Sequence, residues 1–323
     1  MADLCTRCGK CVEICPVVPF GHAAGAEPTE VVANVADFLS GAAAALLPSA
    51  EDWVSMCNGC GECIPECPVS VNPRKMLVFA GAVHANTNTN TPELFRQMAR
   101  AIKVMAAMQL LPDASQRLLS PAEPRDVPIV FYTGCNAVRT PNVLFNAMTL
   151  LDTLDTDYEV VGGPASCCGV IATRWEGQTE RGGYTTDRTI TRFEGYKPEK
   201  VLNWCPSCQL HIGETLQGFR PASYEFGHVT KYLVDNIDAL RTKLKKPVNK
   251  RVIVHSHVGR ADVCRDVDTL LRAIPGLEIL ETVVESSYVC GGSGCTKAPE
   301  LAAREHAHMI DRAHASGVPR QRR

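Results

Sequence analysis

Two cysteine runs with the same spacing stand near the start of this 323-residue chain and restrict its fold more than any other feature. Each run has the form C-x2-C-x2-C-x3-C and is followed directly by a proline. The runs are Cys5, Cys8, Cys11 and Cys15, then Cys57, Cys60, Cys63 and Cys67. Gaps of two residues wrap the backbone so that three thiolates face one inorganic cluster, which predicts iron–sulfur ligation. Two zinc sites are the alternative, but zinc motifs rarely use a third and fourth cysteine at these gaps.

The cysteine content and the charge restrict the class of protein further. The chain has 16 cysteines but no basic-then-apolar leader, whereas a secreted disulfide scaffold would be short and would follow one. The longest apolar stretch near its start, residues 41–47, is too short to span a bilayer. With 33 basic and 35 acidic residues, the chain lacks the basic excess that binds nucleic acid. We therefore expect reduced, metal-ligating thiols in a cytoplasmic protein without a membrane span of its own.

The segment between the two runs predicts a helix, where a compact ferredoxin would have a short βαβ connection. Pro28 can start this helix, apolar residues recur at helical spacing from Val31 to Leu39, and Pro48 is expected to end it. The chain here resembles the α-helical ferredoxin domain of fumarate reductase iron–sulfur subunits and heterodisulfide reductases. In ferredoxin runs the fourth cysteine ligates the other cluster. The resemblance implies two [4Fe–4S] cubane clusters, one held by Cys5, Cys8, Cys11 and Cys67 and the other by Cys57, Cys60, Cys63 and Cys15.

Residues 74–120 are predicted to form two helices around a polar tip. One face is apolar and carries Leu94, Met98, Ile102, Met105 and either Met108 or Leu111. We favour the interpretation that this face is core or an inter-domain seam, and a docking face for a partner subunit is the alternative. Pro121, Pro124 and Pro128 then mark a linker.

Beyond the linker, the pattern changes to strand–loop–helix units. Short apolar strands are predicted at residues 129–133, 158–161 and 201–204, and a cysteine group follows each of them. The groups comprise Cys135, Cys167, Cys168, Cys205 and Cys208. In an open α/β sheet, ligands bind beyond the carboxyl ends of the strands, so these cysteines are expected at a binding edge.

This cysteine pattern resembles the CCG (cysteine-rich) domain of the heterodisulfide reductase family, which includes the iron–sulfur subunits of glycolate oxidase and anaerobic glycerol-3-phosphate dehydrogenase. Here 31 residues separate Cys135 from Cys167, and 36 separate Cys168 from Cys205, as in that family's pattern. The resemblance implies that the five cysteines hold a further [4Fe–4S] cluster of non-cubane type, with Cys168 and Cys208 in catalytic roles. A cubane that uses four of the five cysteines, or zinc, is the alternative.

The family normally repeats this domain, and here the second copy is degenerate. Strands are predicted at residues 251–255 and 277–281, and Cys290-Gly291 aligns with the Cys168-Gly169 pair. The first cysteine is replaced by His257 or Ser256, and the final C-x-x-C is absent. We favour a half-domain that binds no cluster; a metal site of His257, Cys290 and Cys295 is a second possibility. A wall that faces the Cys135 cluster and contacts substrate, with His257 catalytic, is the third.

Other polar residues have ordinary structural explanations. Cys264 is expected in the core, and His228 and His255 are expected to be hydrogen-bonded structural histidines. His306 and His308 are expected to be solvated. Arg174 and Arg181 follow the Cys-Cys-Gly turn, where either could bind an anion or lie at the surface.

Together these patterns predict an α+β chain of three parts. Residues 1–120 form an α-helical ferredoxin domain with connecting helices, 121–245 the cluster-binding CCG half, and 246–323 the degenerate half. The predicted function is that of an iron–sulfur subunit of a heterodisulfide-reductase-like oxidoreductase, acting on a thiol, disulfide or other sulfur substrate. The alternative is electron transfer alone, between a flavin dehydrogenase and quinone. A flavoprotein or a membrane quinone-reactive subunit is the expected partner, which would make any membrane association peripheral.

Overall fold

The computed structural model of this protein describes residues 1–88, 94–120, 122–174, 176–218, 220–257, 261–285 and 299–317. It is a mixed helix and strand structure, which confirms the predicted α+β class. The helices are α1 Lys10–Glu13, α2 Pro28–Ser40, α3 Pro48–Met56, α4 Pro73–Asn88, α5 Leu94–Gln109, α6 Pro112–Leu119, α7 Pro141–Thr153, α8 Val170–Arg174, α9 Thr179–Glu194, α10 Pro206–Gly218, α11 Val229–Asp235, α12 Ile237–Lys243, α13 Ala261–Arg272 and α14 Pro299–Ala315. The strands are β1 Ile129–Gly134, β2 Tyr158–Gly162, β3 Lys200–Asn203, β4 Glu225–His228, β5 Lys250–His257 and β6 Leu277–Glu285.

The described residues group into two compact units, 1–87 with 246–323 and 88–245. Residues of the C-terminal part therefore pack in one unit with the N-terminal residues. The division of the sequence into 1–120, 121–245 and 246–323 stays a prediction.

In the first unit, the core forms between α2 and α3. Both helices begin with proline, whose fixed φ suits the first helical position. The prediction that Pro48 ends α2 is wrong, because α2 already ends at Gly41. That glycine adopts a φ of +80° and returns its N–H to Asp37 O, as glycine does at a helix C-terminus. Pro48 instead begins α3, which places Trp53 at the centre of the core.

The C-terminal part of this unit contains a parallel pair of strands, β5 and β6, at the positions predicted for strands. Helix α14 packs through Leu301 and Ala302 against Val17 and Met56, which flank the two cysteine runs. Glu305 on the same helix is also buried, although its sequence neighbourhood is polar.

The second unit is built on a four-stranded parallel sheet with the order β2-β1-β3-β4. Every residue of the central strand β1 is buried, as its mainly apolar sequence indicates. Strands β1, β2 and β3 lie where they were predicted, and β4 was not predicted. Because all four strands run in the same direction, their carboxyl ends meet at one edge of the sheet.

Helix α5 packs on this second unit through Ile102 and Ala106, which contact Val138. The favoured interpretation of its apolar face as core is therefore correct for these turns. The prediction added either Met108 or Leu111 to this face, and it is wrong there, because the two residues are 81% and 78% exposed.

Candidate iron–sulfur sites

The first cysteine-lined cavity lies beside α2 and has a volume of about 440 Å³. Its cysteines are Cys5, Cys8, Cys11 and Cys67, the four residues predicted to share one cluster. The remaining wall is mainly apolar and includes Val32, Val35, Trp53, Val71, Met76 and Leu77. The fold thus brings the fourth cysteine of the second run next to three cysteines of the first.

A second cavity, of about 320 Å³, contains the reciprocal set. It is lined by Cys57, Cys60, Cys63 and Cys15, together with Cys11. Its wall is more polar than that of the first cavity, since Asn58, Glu62 and Arg74 contribute to it. Trp53, Cys11 and Leu77 line both cavities.

The loop that carries the first run depends on Gly9, which precedes α1. Gly9 has a φ of +81°, and a Cβ there would lie 2.9 Å from Pro28 Cβ and 3.0 Å from the Thr29 nitrogen. A larger residue would therefore be strained and would also push the loop away from the start of α2.

The thiols of these two sets suit the cationic core of an iron–sulfur cluster. Burial raises the pKa of Cys11 to about 12, and the nearby Cys5 thiol raises it further. Burial likewise raises the pKa of Cys63 to about 12, with Cys57 adding to the effect. Several thiolates crowded in a low-dielectric space repel one another, and iron ions would offset that charge. The donor set therefore fits the [4Fe–4S] clusters predicted from the spacing.

The third group of cysteines lies at the carboxyl edge of the parallel sheet in the second unit. Cys135 follows β1, the Cys167-Cys168 pair follows β2, and Cys205 follows β3. Neighbouring side chains are within hydrogen-bonding reach in the order Cys135, Cys167, Cys168, Cys208 and Cys205. Four of the five are buried, and only Cys205 is half-buried. All five predicted residues therefore meet in one water-poor site.

The charge distribution in this site favours a thiolate at Cys167. Hydrogen bonds from the Cys135 and Cys168 thiols lower the pKa of Cys167, and the Gly169 N–H, 3.4 Å from its sulfur, contributes in the same direction. The pKa of Cys135 is raised because its thiol donates to Cys167. Cys167 thus has the most stabilised negative charge of the set.

Helix α9 fixes the turn that carries the adjacent cysteines. Thr189 Oγ1 donates to Cys167 O at 2.7 Å, and Thr186 Oγ1 donates to Cys168 O at 2.8 Å. Gly169, with a φ of +86°, allows this approach, since a Cβ there would lie 2.3 Å from the carbonyl oxygen of Gly182 on α9. The glycine of the Cys-Cys-Gly sequence therefore has both a conformational and a steric reason to be there.

Two further side chains reach the same site and were not predicted from the sequence. The buried Tyr132 hydroxyl donates to Ser166 O at 2.8 Å and lies 3.8 Å from Cys208 Sγ. His211, one helical turn after Cys208, has its Nε2 3.2 Å from Thr186 Oγ1 and helps to lower the pKa of Cys167. The sequence contained two signals for them: His211 follows the C-x-x-C by three residues, and Tyr132 lies inside β1, the strand directly before the first cysteine of the site.

The other polar residues singled out in the sequence lie elsewhere. His228 caps α11 by accepting from the Thr230 N–H at 3.3 Å, and its Nε2 lies 3.1 Å from Trp204 O, which is a structural role as expected. Arg181 lies 3.4 Å from the buried carboxylate of Glu176, so its guanidinium forms an ion pair within the fold.

The degenerate half is described only in part. Cys290 and Cys295 lie outside the described residues, and of His257 only the backbone, at the end of β5, is described. Cys264 is half-buried on α13, and His306 and His308 are exposed on α14. In the described ranges, no group of three or more His, Cys, Asp or Glu residues has the arrangement of a single-ion site. A [4Fe–4S] cluster instead takes its thiolates at separate irons.

Two regions of the chain match known protein families. Residues 1–71 match the family described as a 4Fe-4S dicluster domain, and residues 129–213 match the cysteine-rich domain. The chain thus carries both domains, and the resemblance predicted from the cysteine spacing is confirmed.

Relatives with a known name belong to oxidoreductases. The chain is 29% identical to a dihydromethanophenazine:CoB–CoM heterodisulfide reductase subunit of Methanosarcina mazei, over 93% of this chain and 80% of that relative. It is 27% identical to the corresponding protein of Methanosarcina barkeri, with the same coverage. It is also 25% identical to a fumarate reductase (CoM/CoB) subunit of Methanothermobacter marburgensis, over 97% of this chain and 64% of that relative. These relatives confirm the predicted class of protein, an iron–sulfur subunit of an oxidoreductase.

No solved structure gives a significant match. Among the helices that the structure describes, none combines the length and the apolar character needed to cross a membrane.

Proposed function

We propose that this chain is the iron–sulfur subunit of a heterodisulfide-reductase-like complex, in which the site of Cys135, Cys167, Cys168, Cys205 and Cys208 acts on a disulfide or thiol. The observation that carries the proposal is the meeting of these five cysteines at the carboxyl edge of a parallel sheet. That edge is where open α/β sheets bind their ligands. Two of the named relatives are heterodisulfide reductase subunits, and they support the same substrate class.

The cysteine sets define which residues would hold each cluster. The sets Cys5, Cys8, Cys11, Cys67 and Cys57, Cys60, Cys63, Cys15 would each hold a cubane, and the five-cysteine set would hold a non-cubane [4Fe–4S] cluster. When bound, these clusters supply single-electron transfer. The chain itself supplies a water-poor site, a fixed backbone at Cys167 and Cys168, and the Tyr132 hydroxyl and His211 imidazole beside the cysteines.

The proposed overall reaction is balanced in electrons and protons. Breaking one S–S bond takes two electrons and two protons and gives two thiols. The electrons would come from a reduced flavoprotein or from a quinone-reactive membrane subunit, and the protons from solvent. In the reverse direction, two thiols would be oxidised to the disulfide and the same partner would be reduced.

A second candidate is electron transfer without a substrate of this chain's own. The observation that favours it is burial, since Cys135, Cys167, Cys168 and Cys208 are each less than 9% exposed. A disulfide would then have access only through the half-buried Cys205. In this case the partner would be a flavin dehydrogenase on one side and a quinone-reactive subunit on the other.

The two candidates differ in what a disulfide does to the cysteine site. Iron and sulfide would be measured on the full chain under anaerobic conditions, with EPR recorded with and without a candidate disulfide. We expect about twelve irons and a third, unusual signal that changes when the disulfide is added. A third signal that does not respond to any disulfide tested would favour electron transfer alone. About eight irons with zinc in place of the rest would contradict the cluster at the five-cysteine site.

A serine variant with a matched control locates the signal. Cys168→Ser should remove the third signal and about four irons while both cubane signals remain. Cys264→Ser changes a half-buried cysteine on α13 and should retain all three signals. Loss of the cubane signals in Cys168→Ser would contradict the assignment of the ligand sets.

A further inference from the structure

The indole nitrogen of Trp53 is a buried donor that completes no hydrogen bond. The side chain of Trp53 is among the largest fully buried ones of the described residues, with 2% of the residue exposed. Its Nε1 is buried without an acceptor in bonding geometry. Buried donors of this kind are rare in folded proteins and call for an explanation, such as an acceptor that belongs to a bound group.

The position of this indole is between the two cysteine sets. Trp53 lines both cavities, together with Cys11 and Leu77. Cys15, which belongs to the second set, packs against the same core. Trp53 and Cys15 line the second cavity together, so the buried indole and this cysteine border the same space. The indole therefore lies beside a cysteine that is predicted to ligate the second cluster.

We propose that Trp53 donates its indole N–H to the sulfur of Cys15 when the second cluster is bound, and so raises the reduction potential of that cluster. A hydrogen bond to a ligand sulfur withdraws negative charge from the cluster. Reduction adds one further negative charge, so the hydrogen bond stabilises the reduced form more than the oxidised form. This inference rests on the proposed ligation of the second cluster by Cys57, Cys60, Cys63 and Cys15.

The surroundings of the two cavities agree with a difference in potential between the clusters. The first cavity is lined almost entirely by apolar side chains, and the only charged residue in its wall among those described is Lys10. The second is the more polar, with Asn58, Glu62 and the buried Arg74 in its wall. The Arg74 guanidinium and the Asn58 amide would stabilise the added negative charge of a reduced second cluster, and an ionised Glu62 carboxylate would oppose them. The Trp53 N–H would add to the stabilisation of the reduced second cluster.

The test is a comparison of midpoint potentials in the full chain with its clusters reconstituted. Trp53→Phe removes the N–H, and replacement of Trp53 by 3-benzothienylalanine removes it while keeping the size of the indole. Potentials would be measured by EPR-monitored redox titration, with Cys60→Ser used to identify the signal of the second cluster. Both Trp53 variants should reduce the ratio of reduced to oxidised second cluster about tenfold at a fixed potential, which is a downward shift of about 59 mV for one electron.

A matched control separates the hydrogen bond from core packing. Phe38→Leu removes an aromatic ring from the same core, and Phe38 lines neither cavity, so both midpoints should stay unchanged. In wild type, exchange into D2O should remove a proton hyperfine coupling to the reduced second cluster, and both Trp53 variants should lack that coupling from the outset.

The outcomes keep this inference distinct from the proposed ligation. Fewer than about eight irons in the wild-type chain would contradict the two cubane ligand sets themselves. Full iron content with unchanged midpoints in both Trp53 variants would overturn the role of Trp53. A shift in Trp53→Phe without a shift in the benzothienyl variant would assign the effect to packing, which also overturns the inference.

Discussion

The hydrogen bond from Thr189 to the cysteine turn gives the sharpest test of how the five-cysteine site is held. Thr189 is fully buried on α9, and its hydroxyl donates to Cys167 O at 2.7 Å. Thr189→Val keeps the shape of the side chain but replaces the hydroxyl by a methyl group. The carbonyl of Cys167 then loses this donor in a place that water does not reach.

The magnitude follows from the burial of that carbonyl. Leaving a buried acceptor unsatisfied costs about 1–3 kcal/mol, against about 0.5–1.5 kcal/mol for an ordinary hydrogen bond. We therefore expect Thr189→Val to lower the free energy of unfolding by about 1–3 kcal/mol. The same free energy, if it acts on local opening of the turn, corresponds to about 5–150-fold more frequent opening. Iron bound at the turn should then be lost faster.

The assay combines anaerobic urea unfolding, followed by circular dichroism, with the rate of iron release to a chelator. Thr185→Val is the matched control, because Thr185 is on the same helix and its hydroxyl donates to the carbonyl of Arg181 one turn earlier. The control should change the unfolding free energy by less than about 0.5 kcal/mol. If Thr189→Val and Thr185→Val were equally stable and released iron at equal rates, the proposed role of α9 in holding the turn would be wrong.

Three further perturbations test other parts of the structure. Gly169→Ala should reduce the iron content of the five-cysteine site and the thermal stability much more than the control Gly25→Ala. Both glycines have positive φ, but a Cβ at Gly169 would lie 2.3 Å from Gly182 O, whereas nothing lies within 4 Å of a Cβ at Gly25. Similar iron content and melting temperatures in the two variants would contradict this. Glu176→Ala should lower the free energy of unfolding by about 1–3 kcal/mol, because this buried carboxylate accepts a hydrogen bond from the Phe95 N–H in the first turn of α5 and pairs with Arg181. An unchanged urea midpoint would argue against these contacts. After anaerobic iron removal at a pH of about 8, iodoacetamide should alkylate the exposed Cys8 faster than Cys11, whose pKa burial raises to about 12, and mass spectrometry would reveal an opposite order.

The spatial grouping of the cysteines was accessible from the sequence, because their spacing determines which of them can meet. Cys8 and Cys11 follow Cys5 at intervals typical of a cluster-wrapping loop, and β1 precedes Cys135 as a mainly apolar run. Parallel strands then bring their carboxyl ends to one edge whatever the residues between them. For the cysteine runs and the strands of the sheet, the local sequence pattern therefore predicts the tertiary arrangement.

The residues that support the sites were not accessible in the same way. Thr186 and Thr189 are ordinary helix residues until α9 packs on the cysteine turn, and only that packing gives their hydroxyls an acceptor. Strand β4 is four residues long and contains a glycine, so it lacks a strand pattern. Glu305 lies among charged neighbours, and its burial follows from the contacts of α14, which pattern alone does not give.

The first unit is assembled from both ends of the chain, and this affects the order of events during synthesis. Residues 88–245 are continuous and can fold as soon as they leave the ribosome, because domains fold as units from the N-terminal side during translation. The two N-terminal cysteine runs emerge earlier but cannot acquire the packing of Leu301 and Ala302 until the residues beyond position 300 have been made. We therefore expect the eight N-terminal thiols to remain open to oxygen and to cluster donors for most of translation.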